Sequence, residues 1–246
     1  MRVFCPTNLE RIVYITLRFG VLLSVICLFA VFYDNYFIVL LCIPFAYLFS
    51  RIRQKDIYMI LIEEDIIVLE KRGTSYLGLF KESKAITVDI KESFQFSLER
   101  APSMPYVTRI LTVLKSGKKV WEFEHEFMYS LDNVFEAIQN KLVERLTDSC
   151  AKDVMEFHQM KWFGEVGVTV GFLILKKSEQ QIPFVDISKI ELDRSGLTDL
   201  LKIYLNDRKK SFIQIELKVI FNYKLLLAVV ETISSGISIV DLRETK

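Results

Sequence analysis

The sequence predicts an α+β chain in which an N-terminal transmembrane helical hairpin precedes two units of β-strands, each closed by one C-terminal helix. Two observations predict this architecture. The two long uncharged apolar runs of the 246-residue chain lie within residues 1–55. The rest of the chain changes twice from alternating apolar residues to helical spacing. The predicted domains are therefore residues 1–55, 56–150 and 151–236, followed by a tail at residues 237–246.

Two apolar runs in the first domain predict the membrane hairpin. The first, Phe19–Tyr33, reaches the roughly 20 residues of a spanning helix when Ile12–Leu17 is added and Arg18 extends to the interface. The second, Tyr36–Ser50, is shorter and contains Pro44. Three interpretations stay open: a hairpin that spans the bilayer, a re-entrant wedge that enters and leaves on one side, and a buried helical pair in a soluble protein.

Basic residues beside the two runs predict the orientation in the membrane. Arg18 lies at the start of the first run, and the second run is followed by Arg51, Arg53 and Lys55. The connector between the runs carries only the acidic residue Asp34. The positive-inside rule then places the protein in the cell inner membrane, with its N-terminus and C-terminal domains cytoplasmic. Four cysteines without a disulfide pattern agree with a reducing compartment.

Residues 56–150 are predicted to form strands that end in one helix. Apolar and polar residues alternate over residues 86–90 and again over residues 121–127, which is typical of half-buried strands. Lys115–Lys119 contains Ser-Gly and predicts a hairpin turn. From Leu131 to Leu146 the apolar spacing becomes three or four residues, which predicts an amphipathic helix near residues 130–147.

Residues 151–236 repeat the same order of elements. Strict alternation from Val166 to Ile174 predicts a strand with one apolar face, and Phe212–Leu217 predicts another. Leu225–Ile233 has helical spacing and predicts the last helix, with Asn222 as its N-cap. A terminal amphipathic helix of this kind covers the open end of a small curved sheet.

This order of elements resembles the pleckstrin-homology-like (PH-like) superfold, a bent antiparallel β-sandwich closed by a C-terminal helix. Over about residues 155–234 the chain is similar to the DUF6585-like family of bacterial membrane-anchored proteins. The stretches that carry the similarity are Phe163-Gly164, Val168–Leu175, Ile182–Ile187, Gly196 and Asn222 before the last helix. The order of elements implies two PH-like units in tandem, and the family resemblance adds a binding or scaffold class without indicating a reaction.

Signatures of catalysis, metal binding and cofactor binding are absent from the sequence. The two histidines are far apart, and Cys150 has no matched base. Gly164, Gly167 and Gly171 lack the Lys-Ser/Thr ending of a phosphate loop, so they indicate a bulge or a close backbone approach. We therefore predict no catalytic residue, no metal, no cofactor and no enzyme. The formal net charge of +1 gives no footprint for nucleic acid.

Basic residues crowd two predicted hairpin tips and are the candidate contacts with a membrane or a partner: Lys115, Lys118, Lys119, Arg208, Lys209 and Lys210. Anionic headgroups attract such residues, although solvated turns also explain them, and lipid contact is expected to be weak. The expected function is a membrane-anchored, non-catalytic binding or scaffold protein that presents tandem PH-like domains at the cytoplasmic face to a protein partner. The alternatives are an immunity-type inhibitor that captures a toxin at the membrane and a weak anionic-lipid binding module.

Overall fold

The computed structural model describes residues 2–4, 16, 19–28, 31, 56–63, 65–74, 81–92, 94–103, 106–126, 129–194, 198–206, 211–234 and 236–241. The contacts within the chain divide it into two units, residues 1–87 and residues 88–246.

The first unit is built on one four-stranded sheet in the order β1-β2-β3-β4. The strands are Arg2–Phe4 (β1), Asp56–Ile62 (β2), Ile66–Thr74 (β3) and Lys81–Asp89 (β4). β2 pairs antiparallel with both β1 and β3. Alternate positions of the β2–β3 hairpin are fully or almost fully buried, at Ile60, Ile62, Ile67 and Leu69. These aliphatic side chains therefore form one apolar face of the sheet.

The predicted transmembrane hairpin is contradicted. Residues 2–4 form a strand, and residues 16, 19–28 and 31 are helical. In the part of the chain that the structure describes, no helix is long and apolar enough to cross a bilayer. The predicted inner-membrane location is contradicted by the same finding. Residues 36–50, Arg18, Arg51, Arg53 and Lys55 lie outside the described residues.

The second unit begins with a three-stranded antiparallel sheet in the order β5-β6-β7. Its strands are Phe94–Ser103 (β5), Tyr106–Lys115 (β6) and Lys118–Glu126 (β7). A two-residue turn at residues 116–117 joins β6 to β7, which confirms the predicted hairpin turn. The alternating side chains Phe96, Leu111, Val113 and Phe123 are completely buried.

Two four-stranded sheets follow in the same unit. The first has the order β11-β10-β9-β8 and is antiparallel throughout, with strands Lys161–Phe163 (β8), Val166–Thr169 (β9), Phe172–Leu175 (β10) and Gln180–Pro183 (β11). The second has the order β14-β13-β12-β15, with strands Ile187–Asp193 (β12), Leu200–Leu205 (β13), Ile213–Glu216 (β14) and Ser238–Asp241 (β15). β12, β13 and β14 form an antiparallel meander, whereas β15 lies parallel to β12.

Two helices pack against each other in the second unit, Tyr129–Met155 (α1) and Tyr223–Ile233 (α2). α2 begins two residues before the predicted Leu225–Ile233 segment, and its side chains Leu225, Leu226, Val229 and Val230 are buried as its spacing predicts. α1 continues to Met155, beyond the predicted end near residue 147. The predicted domain limit after residue 150 therefore falls inside this helix.

The predicted fold class is wrong as a whole. The described residues contain no transmembrane hairpin, and the sheets stay open instead of closing into two sandwiches. The two helices bury apolar residues against each other, and β15 adds a strand after the helix that was expected to end the second unit. The observed architecture is mostly β-sheet, with α1 and α2 forming one helical pair.

Asn222 links the start of α2 to the edge of β5. Its backbone N–H donates to the carbonyl of Phe96 (3.0 Å), and its side-chain oxygen accepts from the N–H of Phe96 (2.9 Å). The side-chain amide also donates to the carbonyl of Phe94 (3.0 Å). Asn222 occupies the predicted N-cap position, but its side chain makes no capping hydrogen bond. Its side chain instead forms hydrogen bonds with backbone N–H and C=O groups of β5.

Candidate functional site

A tight hairpin in the β8–β11 sheet gives this sheet two apolar faces. β9 ends at Thr169 and β10 begins at Phe172, and these two residues pair across a two-residue turn. Gly171 in the turn has φ +85°, a conformation that glycine adopts without strain. Directly paired residues share a face and neighbours along a strand alternate. Phe172 therefore lies on the face opposite to Val168.

The inner face of the sheet belongs to the core, because Phe163, Val166, Val168, Leu173 and Ile182 are buried. The opposite face carries Trp162 and Phe172, which are both 39% exposed, and Ile174, which is buried (8% exposed). Trp162 pairs with Gly167, and a Cβ atom at Gly167 would come within 2.9 Å of the indole ring. The indole ring of Trp162 therefore packs directly over the backbone of Gly167. The close backbone approach is found at Gly164, where a Cβ atom would lie 2.1 Å from the carbonyl oxygen of Val219.

Two valines extend this apolar face at one end of the sheet. Val170 lies in the β9–β10 turn, and Val185, which is 83% exposed, lies in a short 3₁₀ turn, Phe184–Asp186. The N–H of Phe184 donates to the carbonyl of Gly171 (2.8 Å), which joins the two turns. We call the surface formed by these four exposed residues the outer face: Trp162, Val170, Phe172 and Val185.

In the second unit, exposed apolar side chains are concentrated around the outer face, and the first unit separately exposes Val21, Val25, Leu28, Val31 and Ile66. Among the residues of the second unit whose side-chain exposure the structure describes, every exposed large apolar side chain lies between residues 155 and 185. Besides the four members of the outer face they are Met155, Phe157 and Met160, in the connection from α1 to β8. Single exposed apolar residues are ordinary, but a concentration of them is typical of a surface that contacts another molecule.

A cluster of charged side chains in the second unit is the other candidate, and we call it the Arg194 cluster. Arg194, which follows β12, donates to Glu136 of α1 (2.6 Å) and to the hydroxyl of Tyr223, and it pairs with Asp241 (3.2 Å). Arg100 of β5 pairs with Asp199 (3.0 Å) and Asp132 (3.5 Å). The other members are Arg109, which donates to Asp132 (2.9 Å), and Lys224, which pairs with Glu136.

In the Arg194 cluster, positively and negatively charged side chains lie in contact and offset each other's charge. Burial raises the pKa of Glu136 by itself, but hydrogen bonds from Lys224 and Arg194 and the charge of Arg194 lower this pKa overall. Burial disfavours the charged form of Arg194, yet Tyr223, Glu136 and Asp241 hold its pKa above the ordinary value. Burial raises the pKa of Asp199 although Arg100 lies beside it. Each buried cation therefore has an anionic partner, as charge burial requires.

The cleft beside the Arg194 cluster is largely filled by its own side chains. It encloses about 320 Å³, including space open to solvent, and its interior has room for roughly one water molecule. None of the described residues that line it is a serine, threonine, cysteine or histidine. We interpret the cluster as a structural network that holds α1, α2, β5 and β12 together.

The predicted basic contacts are only partly described. Lys115 and Lys119 lie on either side of the β6–β7 turn, and their ammonium groups pair with Glu92 (2.5 Å) and Glu122 (2.9 Å). Lys118 is exposed at the start of β7. The other three predicted contacts lie outside the described residues: Arg208, Lys209 and Lys210. Carboxylates therefore offset two of the three ammonium charges at the first tip.

Trp162, Phe172 and Val185 are not among the contact residues that the sequence predicts. The alternation over residues 166–174 predicts a single strand, which would place Phe172 on the same face as Val168. The available signal was Gly171, because a glycine inside an alternating run also marks a turn.

A scan against protein-family models finds none that matches this chain, and a comparison with curated proteins finds no match either. The resemblance to the DUF6585-like family therefore stays a prediction. The assignment of the outer face rests on its geometry.

Proposed function

We propose that the chain is a non-catalytic binding protein that contacts a protein partner through the outer face. The observation that carries the proposal is the confinement of exposed large apolar side chains, within the described part of the second unit, to residues 155–185. Trp162 and Phe172 stand on a paired sheet rather than on a loop, so they lose little conformational freedom when a partner covers them.

The area available on the two aromatic residues is large enough to matter for affinity. Roughly two fifths of each side chain is exposed, which corresponds to about 80–100 Å² of apolar surface per residue. Covering this area contributes about 2 kcal/mol per residue. Lys176, whose ammonium lies 5.9 Å from the ring centroid of Trp162, adds one positive charge at the margin of the face.

Two observations favour a protein over the other ligand classes. The ammonium groups of Lys115 and Lys119 already have carboxylate partners, which weakens the attraction of this tip for anionic lipid. The cleft of the Arg194 cluster has too little free space for an organic substrate. An exposed, rigid apolar sheet face instead matches the core of a protein–protein contact. A toxin captured by an immunity-type protein would be one partner of this kind.

Site-specific photo-crosslinking in the source cells tests the proposal. A benzophenone amino acid replaces Val185 in the full chain, and a control chain carries it at Glu231, an exposed position on α2. We expect one discrete protein adduct from position 185 and none from position 231. Phe172→Ser should reduce the adduct at least about tenfold, since about 1.4 kcal/mol corresponds to a factor of ten.

Ile66→Ser is the matched control for Phe172→Ser, because Ile66 has the same exposed fraction, 39%, but belongs to the first unit. We expect the adduct to be unchanged in this variant. The absence of any adduct at position 185, or an adduct that Phe172→Ser leaves at full yield, would refute the proposal.

A further inference from the structure

β15 differs from every other described strand of the second unit in the way it joins its sheet. It follows α2, and it pairs in parallel with β12 at the edge of the sheet. The register places Ile239 beside Ile190 and Asp241 beside Leu192. The antiparallel meander of β12, β13 and β14 is complete without it.

The side chains of β15 contribute little burial. Ser238 is exposed, and the other three residues are only half-buried. By contrast, Ile190 and Leu192 of β12 are almost completely buried, as are Leu201 and Ile203 of β13. A short edge strand without a buried side chain has low local stability, because few apolar contacts oppose its opening. The β12–β14 sheet and α2 therefore have a core that does not depend on β15.

An ion pair between Asp241 and Arg194 joins β15 to the rest of the second unit. Asp241 lies 3.2 Å from the guanidinium of Arg194, whose side chain is only 4% exposed. Arg194 keeps Glu136 and Tyr223 as partners when β15 leaves, so release of the strand does not leave a buried guanidinium alone. The departing carboxylate leaves a position beside Arg194 that another carboxylate can fill.

We propose that β15 is a releasable strand and that the edge of β12 beneath it accepts an extended segment of a partner protein. The segment lies parallel to β12 and carries two apolar residues followed by a carboxylate, the pattern of Ile239, Val240 and Asp241. Strand addition supplies backbone hydrogen bonds, and the pairing with Arg194 selects for the acid. In the intact chain β15 competes for the edge. This inference concerns a second surface and stands independently of the outer face.

Peptide binding to the full chain tests this inference. The probe is a fluorescent peptide with the sequence of residues 236–246, and the releasing variant is Ile239→Asp combined with Asp241→Lys. Ile239→Asp puts a charge on the face of Ile190, and Asp241→Lys puts an ammonium beside Arg194. We expect the releasing variant to bind the probe at least about tenfold more tightly than the native chain. A probe with Asp241→Lys should bind the variant at least about tenfold more weakly.

Hydrogen exchange on the native chain supplies a second measurement that needs no variant. The β15 amides should exchange about 100-fold faster than those of Val229 and Val230 in α2. Equal protection of the two elements, or a folded releasing variant that binds neither probe, would overturn the proposal. A native chain that doubles its mass in light scattering by exchanging β15 would assign the edge to a second copy, which also overturns it.

Discussion

Replacing Asn222 by alanine is expected to destabilise the second unit strongly. The substitution removes the side-chain oxygen that accepts from the N–H of Phe96 and the amide that donates to the carbonyl of Phe94. It also leaves an alanine at φ +51°, ψ +45°, the left-handed region that asparagine tolerates and alanine does not. Asn222 and Phe96 are both buried, so water does not readily replace the lost partners.

The size of the effect follows from these three losses. A buried donor or acceptor left without a partner costs about 1–3 kcal/mol, and there are two of them. The left-handed conformation costs an alanine about 1–2 kcal/mol. Asn222→Ala should therefore lower the free energy of unfolding by about 3–8 kcal/mol. Asn222→Gly loses the same hydrogen bonds but not the backbone conformation, and should be about 1 kcal/mol more stable than Asn222→Ala.

Urea unfolding followed by tryptophan fluorescence measures these differences. Both tryptophans, Trp121 and Trp162, lie in the second unit, so the signal reports on that unit. Asn206→Ala is the matched control, because Asn206 is exposed and donates one hydrogen bond to the carbonyl of Val185 (2.7 Å). This control should cost less than about 1 kcal/mol. An Asn222→Ala chain as stable as the Asn206→Ala chain would refute the role of Asn222 as a link to β5.

Two further predictions concern close packing and pH. Gly164 and Gly117 have nearly the same positive φ, but only at Gly164 would a Cβ clash, at 2.1 Å from the carbonyl oxygen of Val219. Gly117→Ala should lower the free energy of unfolding by about 1 kcal/mol, and Gly164→Ala should lower it by at least about 2 kcal/mol more than Gly117→Ala does. Chemical denaturation measures both values. The pKa of Glu136 is lower in the folded protein than in the unfolded chain, so the folded protein binds this proton less readily. The ionised Glu136 side chain therefore stabilises the fold above about pH 4.3, and this stabilisation is lost as the pH falls through the folded pKa. Glu136→Gln should lower the free energy of unfolding by about 1–3 kcal/mol at pH 7. Between pH 5 and pH 3 the variant should lose less of this free energy than the native chain does. Equal losses in the two chains would contradict the role assigned to Glu136.

The sequence predicts the elements whose signals are local. Four of the six buried residues of α2, Leu225, Leu226, Val229 and Val230, recur at spacings of one, three and four residues. The Ser-Gly pair marks the β6–β7 turn, so both elements are found where they are predicted. The composition of the N-terminal apolar runs predicts a membrane hairpin, but in the part of the chain that the structure describes no helix is long and apolar enough to cross a bilayer.

The contacts that define the second unit depend on residues far apart in the chain. Asn222 binds backbone atoms of Phe94 and Phe96, which lie more than 120 positions earlier, and no local pattern indicates these partners. β15 pairs with β12 although β13, β14 and α2 lie between these two strands in the sequence. The Arg194 cluster likewise takes its charges from separate strands and helices. Periodicity predicts which face of an element is apolar, but not which element covers it.

The two-residue turn after Thr169 explains why the predicted single strand over residues 166–174 is wrong and why Phe172 is exposed. In a single strand, Phe172 would share the core face with Val168, and Leu173 would lie on the opposite face. The turn reverses this assignment, so Leu173 is completely buried while Phe172 is 39% exposed. An aromatic side chain that the core does not enclose is thus held in a fixed position by strand pairing, on the same face of the sheet as Trp162. A binding face needs this combination of exposure and rigidity, because contact area then converts to affinity with little loss of entropy.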